Sequence, residues 1–326
     1  VRLAEERRPQ ERAREEEMSL FDDNSPEPTE HGAIPPGSPE PPAADQTIAP
    51  LAGDPITYAA SVPATMPPPQ PALPEDLRIS WSWPHFAFFL FFTVISFFVV
   101  QTTLALYYAP HGALTPKQLE QYLSNKPQFL FGSNLLWYGL ILLFLYVTLA
   151  VLRDLPFWSS LGWKKLRSNL ADGKAKPWAY FLSGCGLAVF VFIASSQVHT
   201  SDNMPIEEII KNRSNAMLLM AMAVLVAPLV EETVFRGYLY PLFAKSFGIV
   251  PGILLTGILF GLMHGAQLGW TWGVVALLML VGVIFTFARA HTGTVLASFL
   301  LHLGYNSMIA VATVVGTHGF RQISTH

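Results

Sequence analysis

"SNAMLLMAMAVLVAPLVEETVFRGYLY", residues 214–240, decides the reading of this chain. Residues 214–230 carry no charge, and then Glu231, Glu232 and Arg236 arrive within a run that stays apolar and aromatic. A helix that crosses a bilayer needs roughly 20 mostly apolar residues. The stretch therefore reads as a membrane span that runs into its own charges. An ionisable side chain at membrane depth costs a few kcal/mol on insertion scales and usually faces the bundle interior with a partner. The question is which groups are the partners.

Further apolar stretches flank this one. Residues 84–108, 129–152, 178–198 and about 293–315 each have the length and composition of a span. Residues 246–288 contain no Asp, Glu, Lys or Arg over 43 positions, enough for two spans, with "GAQLGW" (265–270) as the turn between them. The expectation is an all-α, polytopic transmembrane helical bundle of about seven spans, or eight if a half-helix forms near Pro205 to Ile210. Composition agrees. The chain of 326 residues is 51% hydrophobic and 13% charged, against about 25% charged in soluble domains.

The net charge of −3 hides an asymmetry. Residues 1–80 hold 15 of the 23 acidic residues, 6 of the 20 basic ones and 16 of the 26 prolines. Such a stretch cannot bury enough apolar surface to offset its ordering entropy, so a disordered N-terminal tail is expected. It lacks the apolar central region of a signal peptide, and Met18 in "MSLFDDN" is a second candidate start after Val1. The expected organisation is this tail at 1–80, three spans and their loops at 81–213, a core at 214–316 and a C-terminal tail at 317–326. Neither half suggests a nucleic-acid surface. Cys185 is the single cysteine, which excludes an intrachain disulfide and a thiolate metal cluster.

Between the second and third spans lie Arg153, Lys164, Lys165, Arg167, Lys174 and Lys176. By the positive-inside rule this loop is cytoplasmic, and alternation then places the N-terminus inside. The short inside loops hold nine basic residues against five outside, counted on that topology.

Beyond residue 80 the acids are Glu120, Asp154, Asp172, Asp202, Glu207, Glu208, Glu231 and Glu232. Only the last two follow an apolar run directly. At about 100° per residue, Glu232 and Arg236 are four apart and aligned, so they can pair. Glu231 points about 140° away from Arg236 and is free for another task. Its expected partners are histidines: His264, four residues after Phe260 in "FGLMH", and His302, with Asn306 one turn further in "HLGYN". If the chain turns near Gly248, Glu232 and His264 each lie 16 residues from the turn and so at similar heights. His302 enters from the same side, nine residues after Gly293.

"APLVEETVFRGYLYPLF", "FGLMH" and "HLGYN" resemble, in order, the EExxxR, FxxxH and HxxxN/D motifs of the CAAX protease and bacteriocin-processing family of intramembrane glutamate proteases. The resemblance covers about residues 215–315. It implies that Glu231 is the general base that activates a water, with His264 as its partner. It also implies that Glu232, paired with Arg236, assists, and that His302 and Asn306 stabilise the oxyanion. A peptide or protein substrate, lipidated ones included, membrane lipids as surroundings and no cofactor follow from the same resemblance. The expected location is integral to a bacterial inner membrane.

Blander readings compete residue by residue. Glu231 and Glu232 can be an interfacial pair with Arg236 snorkelling to the headgroups. His264 can cap a helix, while His302 and Asn306 can be interhelical hydrogen-bonding glue. His85, His111, His199, His291, His318 and His326 read as structural or solvated. Gly252, Gly257, Gly261 and Gly265 have the spacing of a close helix contact. Two whole-protein alternatives remain: a zinc hydrolase using two Glu and two His, although no HExxH is present, and a non-catalytic membrane scaffold or immunity protein.

Overall fold

The structure, a computed structural model, describes residues 74–110, 115–166, 176–198 and 213–319. Nearly all of the expected tail, the half-helix near Pro205 to Ile210, Arg167, Lys174, His111, His199 and His326 lie outside those residues. Among the described residues there are helices and turns and no strand.

A single 3-10 turn, Glu75–Leu77, leads into α1 (Trp83–Tyr108). A short amphipathic α2 (Pro116–Ser124) follows, then α3 (Pro127–Val151), a four-residue α4 (Phe157–Ser160) and α5 (Pro177–Ser195). After these come α6 (Arg213–Phe247), α7 (Ile249–Met263), α8 (Trp272–Thr292) and α9 (Val295–Gly316). The local signals explain the starts and stops. Pro lies in the first turn of α1, α2, α3 and α5, where its missing N–H costs nothing. Thr115 and Gln118 close a capping box on α2. Gly248 (φ +96°) separates α6 from α7, and Gly293 (φ +69°) ends α8 in a left-handed cap.

Six helices are long and apolar enough to cross a membrane: α1, α3, α5, α6, α8 and α9. The expected seventh, α7, is only 15 residues, about 22 Å at 1.5 Å per residue against a hydrocarbon core of about 30 Å. The apolar run of 246–288 does divide at Gly265 to Trp270 as expected. It divides unequally, however, because α6 extends to Phe247 before the turn. Helix α6 is 35 residues long and contains two π-helical turns, Met222–Val226 and Thr233–Leu239. Each lies just ahead of a proline, Pro228 or Pro241, which has no N–H to continue the ladder. Such turns recur at functional positions.

Helices α5 and α9 approach so closely that a Cβ on Gly184 would overlap the Leu301 carbonyl, and one on Gly304 the Phe181 carbonyl. Helices α7 and α8 meet likewise at Gly257, against the Val283 backbone. Gly252 and Gly261 share that tight packing, whereas Gly265 faces the Trp270 ring within its own turn. Along α6, the main core joins Phe235, Tyr238, Leu239, Leu242 and Phe243 to Phe89, Phe144, Leu145, Leu149 and Phe260. The segment ahead of α1 is laced along the C-terminal half of α6. Trp81 Nε1 donates to the Tyr238 carbonyl (3.1 Å), and His85 Nδ1 meets the Tyr238 hydroxyl (2.7 Å). The turn after α4 docks on the start of α9, where Val295 N donates to the Gly162 carbonyl (2.9 Å) and Thr294 Oγ1 to the Lys164 carbonyl (2.6 Å). These contacts fix α6, α7, α8 and α9 around one interior.

Candidate functional site

Glu232 is completely buried, so the interior must supply everything its carboxylate needs. Oε1 accepts from Arg236 Nη1 at 2.9 Å and from His302 Nδ1 at 2.9 Å. Ser298, also fully buried, sits beside the second oxygen, but its hydroxyl is directed to the Val295 carbonyl at 3.0 Å. Arg236, equally buried, spends its other N–H groups on α8. Nη2 donates to the Gly282 carbonyl (2.9 Å) and Nε to Thr286 Oγ1 (3.3 Å). Its guanidinium carbon lies 4.5 Å from the centre of the Phe260 ring and 5.3 Å from that of Phe285, a cation–π cradle in a water-poor place. The i,i+4 pair expected from spacing is present, and it is extended by a histidine from α9.

Glu231 has a different environment. Its side chain keeps 15% of its surface and lines a cavity of about 500 Å³ with His264, His302, Asn306, Tyr138, Asn134 and Gln267. His264 Nε2 lies 4.0 Å from Glu231 Oε1, and His302 Nε2 lies 3.8 Å from Oε2. Both separations exceed a direct hydrogen bond, so the carboxylate and the two imidazoles surround a gap and do not touch. The opposite edge of each ring is engaged. His264 Nδ1 faces the Phe260 carbonyl at 2.8 Å and His302 Nδ1 faces Glu232 Oε1 at 2.9 Å. Both partners are acceptors, so each Nδ1 carries the hydrogen and each Nε2 is turned to the cavity.

The geometry brings Glu231, Glu232, Arg236, His264 and His302 into one cluster. Asn306 lies on the same cavity wall, one turn beyond His302, and its Nδ2 donates to the Ala223 carbonyl (2.7 Å) inside the first π turn of α6. That leaves one N–H of the amide unassigned. His264 sits at the C-cap of α7, so the capping reading and the cavity reading hold together. His85 has the structural partner expected of it.

Sequence reasoning missed Tyr138 and Asn134 of α3. Both lie on the cavity wall, and the Tyr138 hydroxyl interacts with the Glu231 carboxylate as a side-chain hydrogen-bond donor. Their spacing of four within an otherwise apolar span was the available signal. Also missed were Trp163, whose Nε1 donates to Thr233 Oγ1 (3.1 Å) beside the two glutamates, and Thr286 on Arg236. The rest of the cavity wall is predominantly apolar, from Leu130 and Phe131 to Met220, Leu278, Val281 and Phe285.

Six span-length helices around a buried polar centre define an integral membrane protein. Residues 213–308 match a family model described as "Rce1-like: Type II CAAX prenyl endopeptidase Rce1-like". All six residues singled out above lie within that match. This segment belongs to the CAAX protease family, whose activity is that of a membrane peptidase. No match to the chain was found among curated proteins or among solved structures.

Proposed function

We propose that the protein is an intramembrane endopeptidase in which Glu231 activates a water for attack on a peptide carbonyl. The observation that carries this reading is the gap between Glu231 Oε1 and Oε2 and the Nε2 atoms of His264 and His302, at 4.0 and 3.8 Å, opening on a cavity of about 500 Å³. Those separations suit a bridging water. Glu231 takes a proton from that water while the water oxygen bonds to the carbonyl carbon and the carbonyl electron pair moves to oxygen. The same carboxyl then delivers the proton to the departing amine as the C–N bond breaks. His264 Nε2 holds the water on the other side. Asn306, through its remaining N–H, and His302, when it carries a proton on Nε2, face the developing oxyanion. Glu232 and Arg236 take no part in bond making. They hold the His302 ring by its Nδ1, as a carboxylate orients a working histidine.

The apolar wall supports a substrate that brings a hydrocarbon group with its peptide, as a prenylated C-terminal segment does. The basic loop around Lys164 and Lys176 supports a site that opens toward the cytoplasm. The zinc reading has less support: among the described residues, no group of three His, Cys, Asp or Glu side chains is set to hold a metal ion.

Glu231→Gln keeps the size of the side chain and removes the base. The purified variant is expected to lose cleavage of a prenylated CAAX-type reporter peptide by at least about a thousandfold while melting within 2 °C of the parent, an order of magnitude set by the usual general-base contribution. Retained turnover in Glu231→Gln overturns the assignment. Cleavage that survives strong chelation separates the water mechanism from a zinc hydrolase.

A further inference from the structure

The Glu231 carboxylate lacks a close donor from the family motifs. Both imidazole Nε2 atoms stand off at 3.8 and 4.0 Å, whatever their protonation, and Glu232 and Arg236 are fully occupied with each other and with α8 and α9. A carboxylate that must keep one fixed orientation while its oxygens work on a water needs a donor that does not titrate near neutral pH. The Tyr138 hydroxyl is that donor, reaching Glu231 from α3 across the cavity. Its ring is held in turn. It stacks on Trp137 (5.8 Å between centroids, 27° between planes), and Trp137 Nε1 donates to the Thr93 carbonyl of α1 at 3.0 Å. Tyr138 lies outside residues 213–308, so this support comes from a part of the chain that the family match does not cover.

We propose that Tyr138 is a positioning residue: its phenol anchors the Glu231 carboxylate against the α3 wall and keeps a carboxylate oxygen facing the gap between His264 and His302. The proposal rests on the hydrolytic reading of Glu231 and extends it to a helix outside the motif segment. Helix α3 is thereby part of the working site. A displacement of α3 that withdraws the phenol, for instance when a substrate enters beside Leu130 and Phe131, would free the carboxylate to turn.

Two measurements on the full-length protein in detergent test this. The first does not need turnover. Carbodiimide reagents such as dicyclohexylcarbodiimide modify carboxyl groups through the protonated form, and a donated hydrogen bond holds the proton off a carboxylate. In Tyr138→Phe, which keeps the ring and its stack on Trp137, modification of Glu231 followed by mass spectrometry is expected to run at least threefold faster than in the parent. An unchanged rate overturns the contact. The second is kinetic, on the prenylated reporter peptide. Tyr138→Phe is expected to lower kcat by about tenfold or more, the scale of one hydrogen bond to a charged group, with KM within about twofold. Installing p-aminophenylalanine at position 138, which restores a donor, is expected to recover most of that loss. A raised KM with unchanged kcat overturns the positioning role in favour of substrate binding. A parent-like kcat in Tyr138→Phe also overturns it, since a packing role is preserved by the phenyl ring. If Glu231→Gln still cleaves, the hydrolytic reading fails by itself, while the labelling rate continues to decide whether the phenol holds the carboxylate.

Discussion

Two fully buried arginines organise two ends of this bundle in opposite ways. Arg236 takes its carboxylate from four residues upstream on the same helix, fills its remaining donors from α8, and lies among the rings of Phe235, Phe260 and Phe285. Arg289, at 1% exposure, takes its carboxylate from Asp76, 213 residues away in sequence, at 2.9 Å. Asp76 keeps 19% of its surface, the pair borders a cavity of about 310 Å³ with Arg78 and Lys164, and Arg289 Nε finds no acceptor. The first centre is closed, locally encoded and tied to the site through His302. The second is half open and staples the segment ahead of α1 to the end of α8. Burial of the cation is the same in both. What differs is how much water the partner keeps, and that sets how much each pair is worth.

The largest effect is expected from Arg236→Leu. It leaves the Glu232 carboxylate buried and without its counter-charge, and removing one member of a buried pair costs about 3–5 kcal/mol. Thermal melting in detergent should show a marked fall, with His302 losing its orientation and cleavage lost as well. A variant that melts like the parent would mean Glu232 is already neutral, and the contrast between the two centres would collapse. Arg289→Leu comes next, at about 1–3 kcal/mol, because Asp76 can turn to water when its partner goes. Its active-site geometry should persist, so kcat on the reporter peptide is the discriminating measurement. A kcat loss as large as that of Arg236→Leu would show that the two centres are one coupled system.

How far the sequence could be read follows the same division. The Glu232–Arg236 pair, the separation of Glu231 from it, the turn at Gly248 and the meeting of His264 with Glu231 all follow from helical periodicity and equal distances from a turn. These are local quantities, and a single sequence carries them. His302 was placed at the right depth, yet its Nδ1 contact with Glu232 depends on the rotation of α9 about its axis, which apolar periodicity leaves loose in a helix of mixed faces. Tyr138 was hidden because α3 joins the site only through tertiary packing, and a tyrosine in an apolar span reads as an interfacial ring. The Asp76–Arg289 staple links residues 213 positions apart, beyond any spacing rule. The short α7 was read as a full span because charge-free length does not reveal where a loop ends, and here Gly265 to Trp270 ends it early.

The smallest expected effect, and the one that sharpens the contrast most, is that of Asp76→Asn. The amide can still accept from Arg289 Nη1, so only the charge is lost, and a carboxylate with 19% of its surface in contact with solvent contributes little net Coulomb energy. The expected loss is about 1 kcal/mol or less. A double-mutant cycle with Arg289→Leu should give a coupling of similar size. The matching cycle of Glu232→Gln with Arg236→Leu should give a coupling several times larger, because neither member has water to fall back on. Equal couplings in the two cycles would show that the cavity beside Arg289 is as dry as the core around Arg236. The stapled segment ahead of α1 would then be a structural part of the bundle on the same footing as α6.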